Sequence, residues 1–248
     1  MKYNSYSDII WQKIESTIQE VSRTQSHPVA AFDADGTLWD TDLGENFFKY
    51  QIHHKLLASL PEDPWKHYRT WKASGDPRPA YLWLAQINKG VSLSQVQQWA
   101  EEAVQELSPL PTFSDQKKLI DILHHHKVEV FVVTASVKWA VEPGALRLNI
   151  DHEHVIGVDT RISDGLVTDI QNTTMTYREG KLQALLEKTN GRIPFFCCGN
   201  TLGDIGLLKG ASHLSLAVGA AKPEDELWTA EESLREEALK QNWLIHKF

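Results

Sequence analysis

The chain has 248 residues and carries 33 acidic side chains against 25 Lys and Arg, a net charge of −8 with His neutral. That length suits one large domain, or a core domain carrying a modest insertion. Without a block of Lys and Arg, the acidic balance argues against non-specific nucleic-acid binding, and no run approaches the ~20 apolar residues of a membrane span.

The first sixteen residues lack a long apolar stretch behind a basic start, so no signal peptide is expected. Ile9, Ile10, Ile14, Ile18 and Val21 recur at helical spacing and predict an amphipathic helix over 8–22. After the His27-Pro28 break, Val29-Ala30-Ala31-Phe32 is a short apolar run ending in charged residues, the pattern of a buried parallel strand whose carboxyl end carries chemistry. From Leu43 to Leu110 helical periods dominate, aromatics are frequent, and Pro61, Pro64, Pro77 and Pro79 break the run. Four helices and no strand are expected there. Ser114 is placed to cap a helix ending near His126. A second buried strand, Val128 to Val133, ends in Thr134-Ala135-Ser136. Val155 to Val158 reads as a strand, and Asp164-Gly165 as the two-residue turn of a hairpin between 161–163 and 166–168. A helix follows from Lys181 to about Lys188. Phe195 to Cys198, Leu214 to Val218 and Trp243 to Ile245 are further strands, with an acidic helix before the last. Strands separated by helices imply an α/β fold, a parallel sheet covered on both faces. Cys197 and Cys198, adjacent in an apolar run, fit no zinc spacing or disulfide framework and read as buried reduced thiols, which points to the cytoplasm.

Three strand ends carry the groups that phosphoryl transfer needs. Asp33 and Asp35 follow the first strand, and residues two apart on an extended chain face the same way. Two such carboxylates can divide the work, one attacking phosphorus and the other moving the proton. A carboxylate approaching a phosphate dianion at 4 Å meets roughly 8 kcal/mol of repulsion at an effective dielectric near 20. A bound Mg²⁺ and a lysine would cancel it.

Together these residues resemble the haloacid dehalogenase (HAD) superfamily of phosphohydrolases, over nearly the whole chain. FDADGTLW is similar to its first motif, which implies Asp33 as nucleophile and Asp35 as acid/base. FVVTAS resembles the second, implying that Thr134 and Ala135 bind the phosphoryl group. Lys181 in REGKLQ matches the third, and CCGNTLGD resembles the fourth, whose acidic residues hold the metal. The resemblance implies a Rossmann-like (HAD-like) core over 1–42 and 111–248, an inserted α-helical C1-type cap over 43–110, and Mg²⁺ held by Asp33, Asp35 through its backbone carbonyl, Asn200 and Asp204. Asn200 departs from the family's usual Asp, which leaves open whether it or Asp204 is the direct ligand. The layout is most similar to the phosphoserine-phosphatase-like branch. The implied substrate is a small phosphorylated metabolite, an amino-acid or amino-alcohol phosphate by branch, acted on by a monomer or homodimer with no nucleic-acid or membrane partner. A phosphomutase sharing the site and a catalytically impaired binding protein are the alternatives. A dehalogenase would not need Asp35, and a receiver domain would be about half as long.

Asp42 and Glu45 either bind a substrate amine or cap a helix. Trp65, Trp71, Trp83 and Trp99 either cage a quaternary ammonium or form the insert's core, the more common fate of aromatics at helical spacing. The His124-His125-His126 run reads as a solvated helix end, and the acidic run around Glu231 and Glu232 as a solvated helix face.

Overall fold

The computed structural model describes residues 3–248. Among them the expected amphipathic helix is Asp8–Thr24 (α1), opened by Ser7, whose side chain accepts from the Ile10 N–H. Its stripe of Ile10, Ile14, Ile18 and Val21 is buried. The strands Val29–Phe32 (β1), Glu129–Val137 (β2), Val155–Val158 (β3), Phe196–Gly199 (β6), Leu214–Gly219 (β7) and Leu244–Lys247 (β8) form one sheet in the order β3-β2-β1-β6-β7-β8. Every pairing in it is parallel.

Because successive side chains on a strand face opposite ways, β1 divides its residues between two cores. Ala30 and Phe32 pack under α1 and the helix Ser114–His125 (α6). Val29 and Ala31 pack under the helices Glu179–Lys188 (α8), Ile205–Lys209 (α9) and Trp228–Gln241 (α10). Cys197 and Cys198 are divided in the same way, both buried and unpaired. Helices therefore cover both faces, as an all-parallel sheet requires. The chain runs from β1 outward to β2 and β3, then returns to lay β6 on the other side of β1 and continues outward to β7 and β8, so the crevice at the carboxyl ends of β1 and β6 is the topological switch point where such sheets bind ligands.

Between β1 and α6 lie the four expected helices: Leu43–His53 (α2), Pro64–Lys72 (α3), Arg78–Gln86 (α4) and Leu93–Glu106 (α5). Asp42, Asp63 and Ser92 cap α2, α3 and α5 through their side chains, and Pro64 opens α3. Phe47, Phe48, Tyr68, Leu84, Val96 and Ala100 form their shared core, which Trp65, Trp71, Trp83 and Trp99 complete. None of those four tryptophans lines the cavity described below, so no ammonium cage is built from them.

Ser114 is the first residue of α6 and makes no cap hydrogen bond, the N-cap being Phe113. Three further features depart from the expected elements. β2 runs on through Thr134-Ala135-Ser136 to Val137. Lys138–Leu146 (α7) is a helix that periodicity does not announce, because it is buried on almost every side and so has no polar face to contrast. The hairpin strands, Thr160–Ser163 (β4) and Leu166–Gln171 (β5), dock on the insert: the Gly90 N–H donates to the Val167 carbonyl at 2.8 Å and the Val167 N–H to the Val91 carbonyl at 2.9 Å. The turn itself is as expected, with positive φ at Asp164 and Gly165. Among the described residues no helix is long and apolar enough to cross a membrane.

Candidate active site

At the switch point a cavity of about 870 Å³ is lined by Asp33, Asp35, Thr134, Ala135, Lys181, Asn200 and Asp204 from the core and by Asp42 and Glu45 from the edge of the insert. All nine candidate residues of the sequence thus meet in one place. Asp33 directly follows β1, its N–H donating to the Cys198 carbonyl of β6 at 2.9 Å, so the ladder itself fixes its backbone. The Thr37 hydroxyl donates to Asp33 Oδ2 at 2.9 Å. Lys181, 2% exposed in the first turn of α8, reaches across with its ammonium 2.6 Å from Asp33 Oδ1 and 2.6 Å from Asp204 Oδ1. The remaining oxygen of Asp204 accepts the Asn200 and Thr201 N–H groups, each at 3.0 Å.

Burial pushes the Asp33 carboxyl up to about 6, Asp204 adds to the push, and Lys181 opposes it. Burial alone would lower the Lys181 pKa, but Asp204 and Asp33 outweigh it and raise it above the ordinary lysine value. At neutral pH Asp33 is a carboxylate and Lys181 an ammonium.

Asp35 sits in a different environment. Its Oδ1 accepts the Trp39 indole N–H at 2.8 Å and the Leu43 N–H at 2.9 Å, and Oδ2 lies 2.6 Å from the Ser136 hydroxyl. Burial, then the nearby Asp42, pushes its pKa up to about 8. Two carboxyls whose environments set them apart, one ionised and one protonated near pH 7, form an acid/base division. The same shift carries a stability consequence. Folded Asp35 keeps its proton to about pH 8, while the unfolded side chain releases it near 3.8, so the folded state binds more protons in that window. Stability therefore falls as pH rises through it. An Asp35→Asn variant escapes the fall, and its metal-free melting temperature at pH 8 should exceed that of the parent by a few degrees, from about 1–2 kcal/mol. Thermal melts in chelator at pH 5 and pH 8 check this. A gap that does not widen with pH would overturn it.

Asn200, 2% exposed at the end of β6, adds a carboxamide oxygen to the site. Gly36 makes room for the Asn200 carboxamide: a Cβ built there would lie 2.1 Å from Asn200 Nδ2, and its φ of +76° is one that side chains rarely adopt. Among the described residues no three His, Cys, Asp or Glu side chains converge on a metal position. The available set, two carboxylates and a carboxamide with backbone carbonyls nearby, is made of hard oxygen donors and suits an ion that keeps several of its waters, as Mg²⁺ does. Asp204, like Asp33, holds Lys181 through one oxygen and accepts hydrogen bonds at the other.

Residues 30–209 match the family model described as haloacid dehalogenase-like hydrolase. The chain belongs to this family. Among curated proteins, phosphorylcholine phosphatase of Pseudomonas aeruginosa is 24% identical, over 61% of this chain and 54% of its own length, so the chain spans about half of that relative. Solved structures share the fold at low identity. A functionally uncharacterised protein from Anaerococcus prevotii superposes with a TM-score of 0.75 at 16% identity, covering 98% of this chain and 93% of that one. A protein of unknown function from Bordetella pertussis Tohama I gives 0.70 at 19%, covering 90% and 99%. A substrate-bound phosphoserine phosphatase gives 0.53 at 16%, covering 88% and 99%.

This HAD hydrolase also draws on residues that the motifs do not flag. Lys72, from α3, pairs with Glu45 at 2.9 Å and lies 5.6 Å from the ring centre of Tyr68 and 5.8 Å from that of Tyr81. With Tyr177 these side chains line the outer cavity. Asp42 is a cap, accepting the Glu45 N–H at 2.7 Å. Glu231 corrects the reading of its helix as a solvated acidic face. It is buried against the cavity and accepts the Ala221 N–H at 2.9 Å, while Glu232 pairs with Arg235 at the surface. The signal was present in the spacing: Glu231, Leu234 and Ala238 share the buried face of α10.

Proposed function

We propose that this hydrolase is a Mg²⁺-dependent phosphatase of small phosphomonoesters, acting through a phospho-Asp33 intermediate. The observation that carries the reading is the buried Lys181 ammonium bridging Asp33 and Asp204, with the Asp35 carboxyl lining the same cavity. An Asp33 oxygen attacks phosphorus, and the ester P–O bond breaks with its oxygen taking the proton of Asp35. Water then attacks the phosphorus of the aspartyl phosphate, Asp35 takes a proton from it, and phosphate leaves with both carboxyl groups restored. Lys181, the Thr134 hydroxyl and the Ala135 N–H hold the phosphoryl oxygens. Asp33, the Asp35 carbonyl, Asn200 and Asp204 would hold Mg²⁺, which offsets the charge between nucleophile and phosphate when bound. The complete trio of Asp33, Lys181 and Asp204 supports a catalyst over an impaired binding protein.

Residues 43–110 act as a cap over 1–42 and 111–248. In support, α3 and α4 contribute Tyr68, Lys72 and Tyr81 to the cavity. Arg69 of α3 also donates to Glu226 of the core at 2.9 Å. A cap of this size excludes water during attack and admits small esters. The two unpaired thiols fit a reducing, cytoplasmic setting.

The outer cavity bears on the leaving group. Lys72 and Glu45 present one cation and one anion side by side, which suits a zwitterion carrying both an ammonium and a carboxylate, as phosphoserine does. A phosphocholine headgroup, the substrate in the name of the Pseudomonas relative, would have to displace Lys72 from Tyr68 and Tyr81. Phosphate release with Mg²⁺ from phosphoserine, phosphothreonine, phosphoethanolamine and phosphocholine tests the reading. Phosphoserine should rank above phosphocholine, and Lys72→Met should raise its KM about 10–100-fold, the worth of one charge-assisted contact, with a smaller change for phosphocholine. A reversed ranking, or a KM that Lys72→Met leaves unmoved, would sink the zwitterion assignment.

A further inference from the structure

β2 does not stop at Thr134 and Ala135. It runs on to pair with β3 at Val137, and this extension carries Ser136 into the wall of the cavity. There Ser136 meets both halves of the site with different atoms. Its N–H donates to Thr134 Oγ1 at 3.0 Å, and its hydroxyl lies 2.6 Å from Asp35 Oδ2. Gly44, in the first turn of α2, leaves room for that hydroxyl: a Cβ built there would lie 2.7 Å from Ser136 Oγ and 2.9 Å from Ser136 Cβ.

The two oxygens of Asp35 are not equivalent. Oδ1 accepts the Trp39 indole N–H at 2.8 Å and the Leu43 N–H at 2.9 Å. Both groups are donors only, so a proton on Oδ1 would face two other protons. Oδ2 faces a hydroxyl, which accepts or donates as the carboxyl requires. Oδ2 is therefore the oxygen that carries the proton, and Ser136 stays bonded to it before and after the proton leaves. Thr134 is oriented by the same residue. Its Oγ1 accepts from the Ser136 N–H, which leaves its own O–H to donate into the cavity.

Resting on the phosphatase reading above, we propose that Ser136 is the positioning residue of the acid/base. Its hydroxyl holds Asp35 Oδ2 where the proton passes to the ester oxygen as the P–O bond breaks. It holds the same oxygen to take a proton from the water that attacks the aspartyl phosphate. Its N–H turns the Thr134 hydroxyl toward the phosphoryl group.

Leaving groups separate this role from a structural one. The value of kcat/KM reports the steps up to the phosphoenzyme, in which an alkoxide must be protonated whereas p-nitrophenolate departs without a proton. Ser136→Ala removes the hydroxyl and keeps the N–H to Thr134. Its kcat/KM should fall about 10–100-fold for the alkyl esters phosphoserine and phosphoethanolamine, and about threefold or less for p-nitrophenyl phosphate, the alkyl loss being part of what a general acid contributes. Competitive inhibition by inorganic phosphate should not change, because Thr134 is still oriented. In Asp35→Asn/Ser136→Ala the second change should cost the alkyl esters nothing beyond Asp35→Asn alone. Gly44→Ala, whose methyl crowds the hydroxyl of an intact Ser136, should lower the alkyl-to-aryl ratio in the same direction. It carries the test if melting temperatures in chelator show Ser136→Ala to be unfolded. No loss, equal losses with alkyl and aryl esters, or a further loss in the double variant overturns the proposal and leaves the phosphatase reading standing. Parental protein that releases phosphate from none of the three esters overturns that reading and this inference with it.

Discussion

Asp33→Asn is expected to abolish phosphate release, with a loss on the order of 10⁴-fold or more, as when a nucleophile is removed, while the protein stays folded. The second half of that expectation comes from the partners. The substitution takes a charge from Lys181, but Asp204 remains 2.6 Å away, so the ammonium is not left alone. It also relieves the repulsion from Asp204 that helps push Asp33 up to about 6. The neutral amide can still accept from Thr37, whose hydroxyl donates to Oδ2 at 2.9 Å in the parent. Acid quench of the parental enzyme during turnover of a ³²P-labelled ester should find label on the protein, and none on Asp33→Asn. Turnover within tenfold of the parent would remove Asp33 from the nucleophile's role.

How much of this was legible without coordinates depended on the kind of signal. The sheet was readable because β1, β2 and β6 are buried on both faces and so appear as unbroken apolar runs. Asp33, Asp35, Thr134, Ala135, Asn200 and Asp204 were readable because each follows or ends such a run, and chain topology then brings the runs together. Lys181 was readable only in their company, since nothing local distinguishes a lysine at the start of a helix. α7 was missed because a helix buried on nearly every side has no polar face to mark its period. Glu231 was misread because an acidic run draws attention to its charge, whereas its position three residues before Leu234 places it on the buried face of α10. Lys72 and the tyrosines lay beyond reach for a different reason. Lys72 meets Glu45, 27 residues away in the chain, by a tertiary packing that no local pattern encodes.

Lys181→Met should be the most destabilising single change in the site, and its cost should depend on pH. In the parent the ammonium stands between two carboxylates that are 6% and 1% exposed, at 2.6 Å from each. Removing one partner from a buried ionic group typically costs about 3–5 kcal/mol, because the remaining charges are left unpaired away from water. For a chain of this size that is a fall of roughly 6–20 °C in melting temperature near neutral pH. The deficit should shrink toward pH 5. Without Lys181 the pKa of Asp33 rises further above about 6, so acidification protonates a carboxyl that the cation no longer holds ionised. The folded variant then binds more protons than the unfolded chain, and it gains stability as pH falls. Coupling gives a second readout. In Asp33→Asn/Lys181→Met a single carboxylate remains, still held by the Asn200 and Thr201 N–H groups, so the double variant should be more stable at pH 7.5 than Lys181→Met alone. Thermal melts of the three chains at pH 5 and pH 7.5, in chelator, decide it. A deficit independent of pH and additive in the double variant would mean that Lys181 contributes packing alone. A deficit that both acid and the second substitution relieve identifies the lysine as the charge that allows two carboxylates to share this site.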